Sequence, residues 1–209
     1  MNKEQNFENQ ILQTAENLFL EKGFAGTSTT DIAKEVGCNQ ALVHYYFRTK
    51  ENLFLRVFQN KIESIFLTLL QPLLNTDEDF FDKMRHTMSA YFDFLAKESR
   101  LAFFVINELL CNKKRLMFVY EYFMSNSTRT NVYEMIDSVV QAEVKKGTIR
   151  QISTVDFVLD IVSLTVFNFI AFPIYSDLSG STKSEKSAFL EQRKQEIITL
   201  AINGMRKHS

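Results

Sequence analysis

The chain has 209 residues, with 24 Lys and Arg against 25 Asp and Glu for a net charge of −1. It is long enough to bury a sizeable core in one or two domains, and its charge does not announce a nucleic-acid binder. Six Gly and two Pro are too few for a many-turned β protein and point to helix. Cys38 and Cys111 stand in no CxxC pair and beside no His cluster, which excludes a disulfide framework and a zinc site. The start MNKEQNFENQ has no apolar signal core, so a reducing cytoplasm is the expected compartment.

Residues 7–22 predict a first helix. Its apolar stripe is Ile11, Leu12, Ala15, Leu18 and Phe19, and Gly23-Phe24 has the pattern of a left-handed cap with a hydrophobic contact folded back. A second helix, TTDIAKEV, is capped by Ser28 or Thr29 and ended by Gly37. Asn39 caps a third, QALVHYYF. Two short helices joined by a tight turn containing Gly are a helix-turn-helix, whose second helix enters the DNA major groove.

The side chains fit that reading. Ile32, Ala33 and Val36 form one stripe, and Val43 and Phe47 close over it. Gln40, Ala41, His44 and Tyr45 are left as a single outward face. An amide, a methyl, an imidazole and a phenol can read base edges or hold phosphates. Charge does not help: residues 1–56 carry six Lys and Arg against seven Asp and Glu. Attraction to DNA must then be local, from helix N-termini and a few placed cations.

A helix from residue 49 or 50 to 72 is apolar on two sides (Leu53, Phe54, Val57, Phe58, Ile62, Ile65), so it packs on two partners and serves as a connector. The division expected is a DNA-binding domain over 1–48 and a second helical domain over 49–209, to which the resemblance described below assigns effector binding and dimerisation. Asp77-Glu78-Asp79 opens the next helix, followed by Phe80, Phe81, Met84, Met88, Tyr91, Phe92 and Leu95. Residues 101–111 form another. Lys113-Lys114-Arg115 reads as a solvated helix start or loop. A long pattern over 116–146 ends at Gly147 and contains the polar SNSTRTN, a candidate break. Helices over 154–174 and 184–206 complete about nine. The first of this pair is apolar nearly all round, but residues 161–175 give only 15 positions without charge, against the roughly 20 a bilayer demands. No membrane partner is expected. Such a helix is buried or part of a subunit interface.

Residues 23–54, GFAGTSTTDIAKEVGCNQALVHYYFRTKENLF, resemble the N-terminal module of the tetracycline-repressor (TetR/AcrR) family of bacterial transcriptional regulators. The resemblance is carried by Gly23-Phe24, Thr27-Ser28, Ile32-Ala33, Val36-Gly37, Tyr46-Phe47 and Lys50-Glu51 before Leu53. It implies an all-α fold, with a three-helix helix-turn-helix module followed by a larger helical ligand-binding and dimerisation domain. It also implies a homodimeric repressor on double-stranded operator DNA, released by a small lipophilic effector. Thr27 and Thr29 fall where the family contacts phosphates, and Lys50 where it holds one. Gln40 and Ala41 fall where base edges are read, and Tyr45 where a base or phosphate is met. Thr30, Asn39, His44 and Tyr46 complete the implied DNA-contact set. Three positions depart from the family pattern: Ala41 stands for the usual Gly, His44 for the usual Tyr, and Leu42 for a small polar residue. They bear on which operator is read.

In the second domain, Met84, Met88, Tyr91, Phe92, Phe103, Phe104, Tyr120 and Phe123 are the candidate lining of an apolar effector pocket, with no charged anchor in evidence. The resemblance implies that the last two helices of each subunit form a four-helix dimer interface, here through Phe157, Ile161, Leu164, Asn168, Phe172, Leu190, Ile197, Ile198, Ala201, Ile202 and Met205. No cofactor and no metal are expected, and the chain does not read as an enzyme. Its three histidines, His44, His86 and His208, are widely spaced, and no nucleophile constellation or phosphate loop accompanies them. Two alternatives remain. One is a DNA-binding regulator with a filled second domain. The other is a small helical enzyme, which would need His86 beside a carboxylate in an open cleft.

Overall fold

The computed structural model describes residues 3–75, 77–124, 132–180 and 182–207, and among them the side chains outside 3–6, 122–124, 179 and 183. The described residues form ten helices: α1 (Lys3–Lys22), α2 (Thr29–Val36), α3 (Gln40–Phe47), α4 (Lys50–Leu73), α5 (Phe80–Lys97), α6 (Leu101–Cys111), α7 (Lys113–Met124), α8 (Val132–Lys146), α9 (Thr154–Ser179) and α10 (Lys183–Met205). The stretch expected as one long pattern over 116–146 holds both α7 and α8, which raises the count from nine. Its polar SNSTRTN segment, residues 125–131, lies outside the described residues. The chain divides into two compact units, 1–64 and 65–209. The 48/49 division expected from sequence falls at the start of α4, whereas contacts keep the first part of that helix with the N-terminal unit.

In the first unit the apolar stripes meet as their spacing demands. Ile11, Ala15 and Phe19 of α1, Ile32 and Ala33 of α2, Val43 and Phe47 of α3, and Leu53, Phe54, Val57 and Phe58 of α4 are all buried. Phe54 is the centre: its ring meets Phe19 edge-on at 5.0 Å and Phe24 at 5.1 Å. Each fully buried aromatic of this kind contributes about 1.5–3 kcal/mol of hydrophobic stabilisation. Turn chemistry fixes the corners. Gly23 and Gly37 sit at φ 71° and 76°, in the left-handed region where a side chain is strained.

In the second unit α5 and α9 run alongside in the same direction. Phe80 meets Phe157 at 6.4 Å, and twelve residues further along each helix Phe92 meets Phe169 at 4.8 Å. α10 closes over both, with Lys194 Nζ donating to Asp93 of α5 at 2.9 Å and Arg193 to Asn168 of α9 at 3.1 Å. The link between α8 and α9 is pinned to the end of α10, where the Arg150 amide donates to the Met205 carbonyl at 2.9 Å. Asn112 accepts from the Lys114 and Arg115 amides, so the basic cluster is the opening turn of α7. By length and composition alone, Thr154–Leu178 could cross a membrane. Within this unit, however, α9 packs against α5, α6, α8 and α10.

Phe54→Ala is expected to destabilise the N-terminal unit by about 3–5 kcal/mol, because the site must lose a ring that the Phe19, Phe24 and Phe58 rings pack on. Urea denaturation followed by circular dichroism measures this, and a loss below about 1 kcal/mol would contradict the packing described.

Candidate nucleic-acid interface

Local sequence chemistry sets the geometry of α2 and α3. Ser28, in extended backbone, is the N-cap of α2. Its hydroxyl accepts from the Asp31 amide at 3.1 Å, and Asp31 accepts in return from the Ser28 amide at 3.2 Å and from its hydroxyl. This reciprocal box satisfies two otherwise orphaned donors, and those Ser28 hydrogen bonds hold the Asp31 carboxyl below the usual aspartate range. The cap contribution from Asp31 is therefore complete above the ordinary aspartate pKa and is lost as pH falls through the depressed value. Asn39 caps α3 by accepting from the Leu42 amide at 2.8 Å.

With both ends set, the faces of α3 are determined. Val43 and Phe47 are buried, while Gln40, Ala41, His44 and Tyr45 are exposed, Tyr45 at 65%. Asn39 and Thr30 are exposed, and Thr29, Leu42 and Tyr46 are half-buried. Leu42 is thus less open than its place in the sequence suggests. The outward polar groups are linked. The Gln40 amide nitrogen donates to Thr29 Oγ1 at 2.9 Å and lies 3.4 Å from His44 Nε2. On its other side, His44 Nδ1 is 3.0 Å from the Arg48 carbonyl oxygen. A carbonyl can only accept, so Nδ1 carries hydrogen, and in the neutral ring Nε2 accepts from Gln40. The face is thus pre-organised from α2 to the end of α3.

Two residues of the implied phosphate set are placed differently. Thr27 is only 2% exposed, and its hydroxyl lies within hydrogen-bond reach of the Leu18 and Gly23 carbonyls. It secures the α1–α2 corner and offers nothing outward, because the turn after Gly23 points it inward. The Lys50 ammonium donates to the Phe24 carbonyl at 2.9 Å and the Thr27 carbonyl at 3.0 Å. It also sits 4.1 Å above the Phe24 ring.

Arg48, which sequence reasoning passed over, follows α3 with φ 65° and ψ −53°, closed by a Thr49 amide to Phe47 carbonyl bond of 2.7 Å. It is the one non-glycine residue with positive φ among those described. A three-residue turn of this hand costs about 1–3 kcal/mol in strain.

The remaining implied sites lie in the second unit. Met84, Met88, Tyr91, Phe92 and Phe104 are buried, and burial pushes the Tyr91 phenol up. Phe103 faces outward at 64% exposure, because the inward stripe of α6 is Leu101, Ala102, Phe104, Val105 and Glu108, and Tyr120 of α7 is 56% exposed. The Phe123 side chain lies outside those described. A charged pair that sequence reasoning missed is buried here, Glu108 with Arg115. A carboxylate inside the apolar run FFVINELL was its only signal.

Among the expected interface residues, Phe157, Ile161, Ile197, Ile198, Ala201, Ile202 and Met205 are buried within the unit, and Leu164, Asn168, Phe172 and Leu190 are half-buried. The open apolar face of α9 is instead Val155, Leu159, Phe167, Ile174 and Leu178, each more than half exposed. His86 pairs with Glu78 at 2.8 Å on the surface, its side chain 62% exposed, not in a cleft.

Residues 11–57 match the family model described as bacterial regulatory proteins, tetR family. That match covers 47 of the 209 residues, the stretch that carries the helix-turn-helix. Over 91 residues it is 26% identical to the HTH-type transcriptional activator FasR of Mycolicibacterium smegmatis, covering 44% of this chain and 41% of that one. Over 88 residues it is 28% identical to the biofilm operon icaADBC HTH-type negative transcriptional regulator IcaR of Staphylococcus epidermidis, covering 42% and 43%. The matches thus span under half of these two relatives. A solved bacterial regulatory protein in the tetR family from Rhodococcus RHA1 superimposes with a TM-score of 0.71 at 18% identity, covering all of both chains. At that identity the likeness concerns the fold alone.

Lys50→Met is expected to lower stability by about 2 kcal/mol, since two charge-assisted hydrogen bonds to main-chain carbonyls are lost. A thermal melt unchanged by the substitution would show that the ammonium holds nothing together.

Proposed function

We propose that this chain is a homodimeric, sequence-specific DNA-binding transcriptional repressor of the cytoplasm, released from its operator by a small lipophilic effector held in the second unit. The observation that carries the reading is the outward face of α3. Gln40, Ala41, His44 and Tyr45 are exposed together on a helix whose opposite face is locked into a core, and the Gln40 amide is already held by Thr29. An exposed Gln amide pairs with adenine N6 and N7, and an alanine methyl meets the thymine methyl. Thr29, Thr30 and the capped start of α2 supply donors for the backbone, helped by the positive end of that helix. The Lys50 ammonium has one N–H beyond its two internal bonds, available to a phosphate.

Dimerisation follows from α9. Five large apolar side chains open to solvent on one side of a helix call for a covering surface, and a second copy of the same face meets that need by two-fold symmetry. Leu164, Asn168, Phe172 and Leu190 then form the margin of the contact. Two recognition helices held this way enter successive major grooves about 34–36 Å apart. The buried methionine and aromatic side chains of α5 and α6 favour an apolar effector. Such a ligand acts by preferring a conformation in which that spacing is lost.

Selection of bound duplexes from a random pool should return a two-fold symmetric motif. On that motif, Gln40→Ala is expected to cost about 1–3 kcal/mol of discrimination while binding to unrelated DNA stays within twofold. Equal losses on both DNAs would remove base reading from Gln40. Separately, Phe167→Glu should convert the dimer to monomer in sedimentation equilibrium. A dimer that persists would place the interface elsewhere.

A further inference from the structure

A second feature of the N-terminal unit is not absorbed by the recognition face. Beyond the end of α3 lies a concavity of about 360 Å³, bounded by the start of α1, the α3–α4 turn and α4, and open to solvent. Its polar lining is Tyr46, Arg48, Asn52, Arg56, Gln59 and Glu8. Asn52, Arg56 and Gln59 recur at i, i+4 and i+7, so α4 turns one face toward it. Both guanidinium groups are exposed, and neither has a hydrogen bond or ion pair among the described residues. Two guanidinium groups, two side-chain amides and a phenol form a set rich in donors, with Glu8 the single carboxylate.

Three observations converge on this place. Arg48 lines the concavity, and its carbonyl oxygen is 3.0 Å from Nδ1 of His44 on the face proposed to read bases. Lys50, the cation the family pattern assigns to a phosphate, is largely engaged with the Phe24 and Thr27 carbonyls. The unit nevertheless has no excess of positive charge to draw DNA in. Arg48 is also held in strained backbone, and strain of this kind persists where the surroundings enforce a useful position. Planar guanidinium forks match phosphate oxygens two at a time.

We propose that the Arg48–Arg56 concavity seats a backbone phosphate of the bound duplex, beside the groove that α3 enters. The inference rests on the DNA-binding reading above. A phosphate group could also come from solution as the free anion, and the test separates the two sources.

The test is equilibrium binding of the full chain to the selected duplex and to an unrelated one, across a series of salt concentrations. In the double variant Arg48→Gln, Arg56→Gln, the slope of log K against log salt should fall by about 1 per subunit, with equal weakening on both duplexes. Arg48→Gly should reduce the slope while keeping or raising the thermal midpoint, because glycine takes positive φ freely. Glu8→Gln should tighten binding to both duplexes.

A wild-type chain that binds neither duplex overturns the DNA-binding reading itself. A wild-type chain that binds, with a double variant that keeps its slope, overturns this proposal alone. Thermal stabilisation by inorganic phosphate that disappears in the double variant, with the slope unchanged, also overturns it and assigns the concavity to a free anion.

Discussion

The N-terminal unit depends on the Lys50 ammonium and the two carbonyls it bridges. Phe24 and Thr27 lie on the link between α1 and α2, and Lys50 opens α4, so one cation holds the far ends of a three-helix arrangement together. The Phe24 ring beneath the ammonium meets Phe54, which carries the constraint into the core. The same corner places Thr27 inward, where it bonds to α1. With α1, α2 and α4 fixed, α3 is left to present one face, and that face is what the proposed activity requires. A cation beside partly buried carbonyls repays its desolvation through charge-assisted hydrogen bonds, each stronger than a neutral one.

Charge distribution then explains how a near-neutral module could hold a polyanion. Lys61 neutralises Glu16 and two of the three Lys50 donors go to main-chain carbonyls, so the balance counted from sequence does not describe the charge open to solvent. What remains exposed is sparse and local: Lys22, Lys34, Arg48 and Arg56. Affinity on the proposed reading comes from geometry and from two modules acting on one duplex, each raising the effective concentration of the other. A long-range basic field has no part in it.

Much of the first unit was legible in the sequence because its signals are local. Ser28, Gly37 and Asn39 specify caps and corners through their own backbone preferences, and the stripes of α1, α2 and α3 are one-sided. The second unit was less legible for a physical reason. α9 is apolar all round, so periodicity cannot say which side meets the core. Phe157, expected at a subunit contact, is buried within the unit against Phe80 of α5. The outer residues Leu159 and Phe167 look the same in one dimension. Residue type misleads in the same way at Arg115, which reads as solvated with Lys113 and Lys114 but is buried against Glu108. Arg48 was invisible as a strained position because nothing in an Arg codes for positive φ.

The central claim is that α3 reads DNA while α9 joins two copies, and a crystal structure of the full chain on its selected duplex tests both at once. The account predicts the Gln40 amide at about 3 Å from a base edge in the major groove, with two subunits related by a two-fold axis through the Leu159–Phe167 faces. A complex in which α3 lies outside the groove, or in which those faces stay open to solvent, would contradict it.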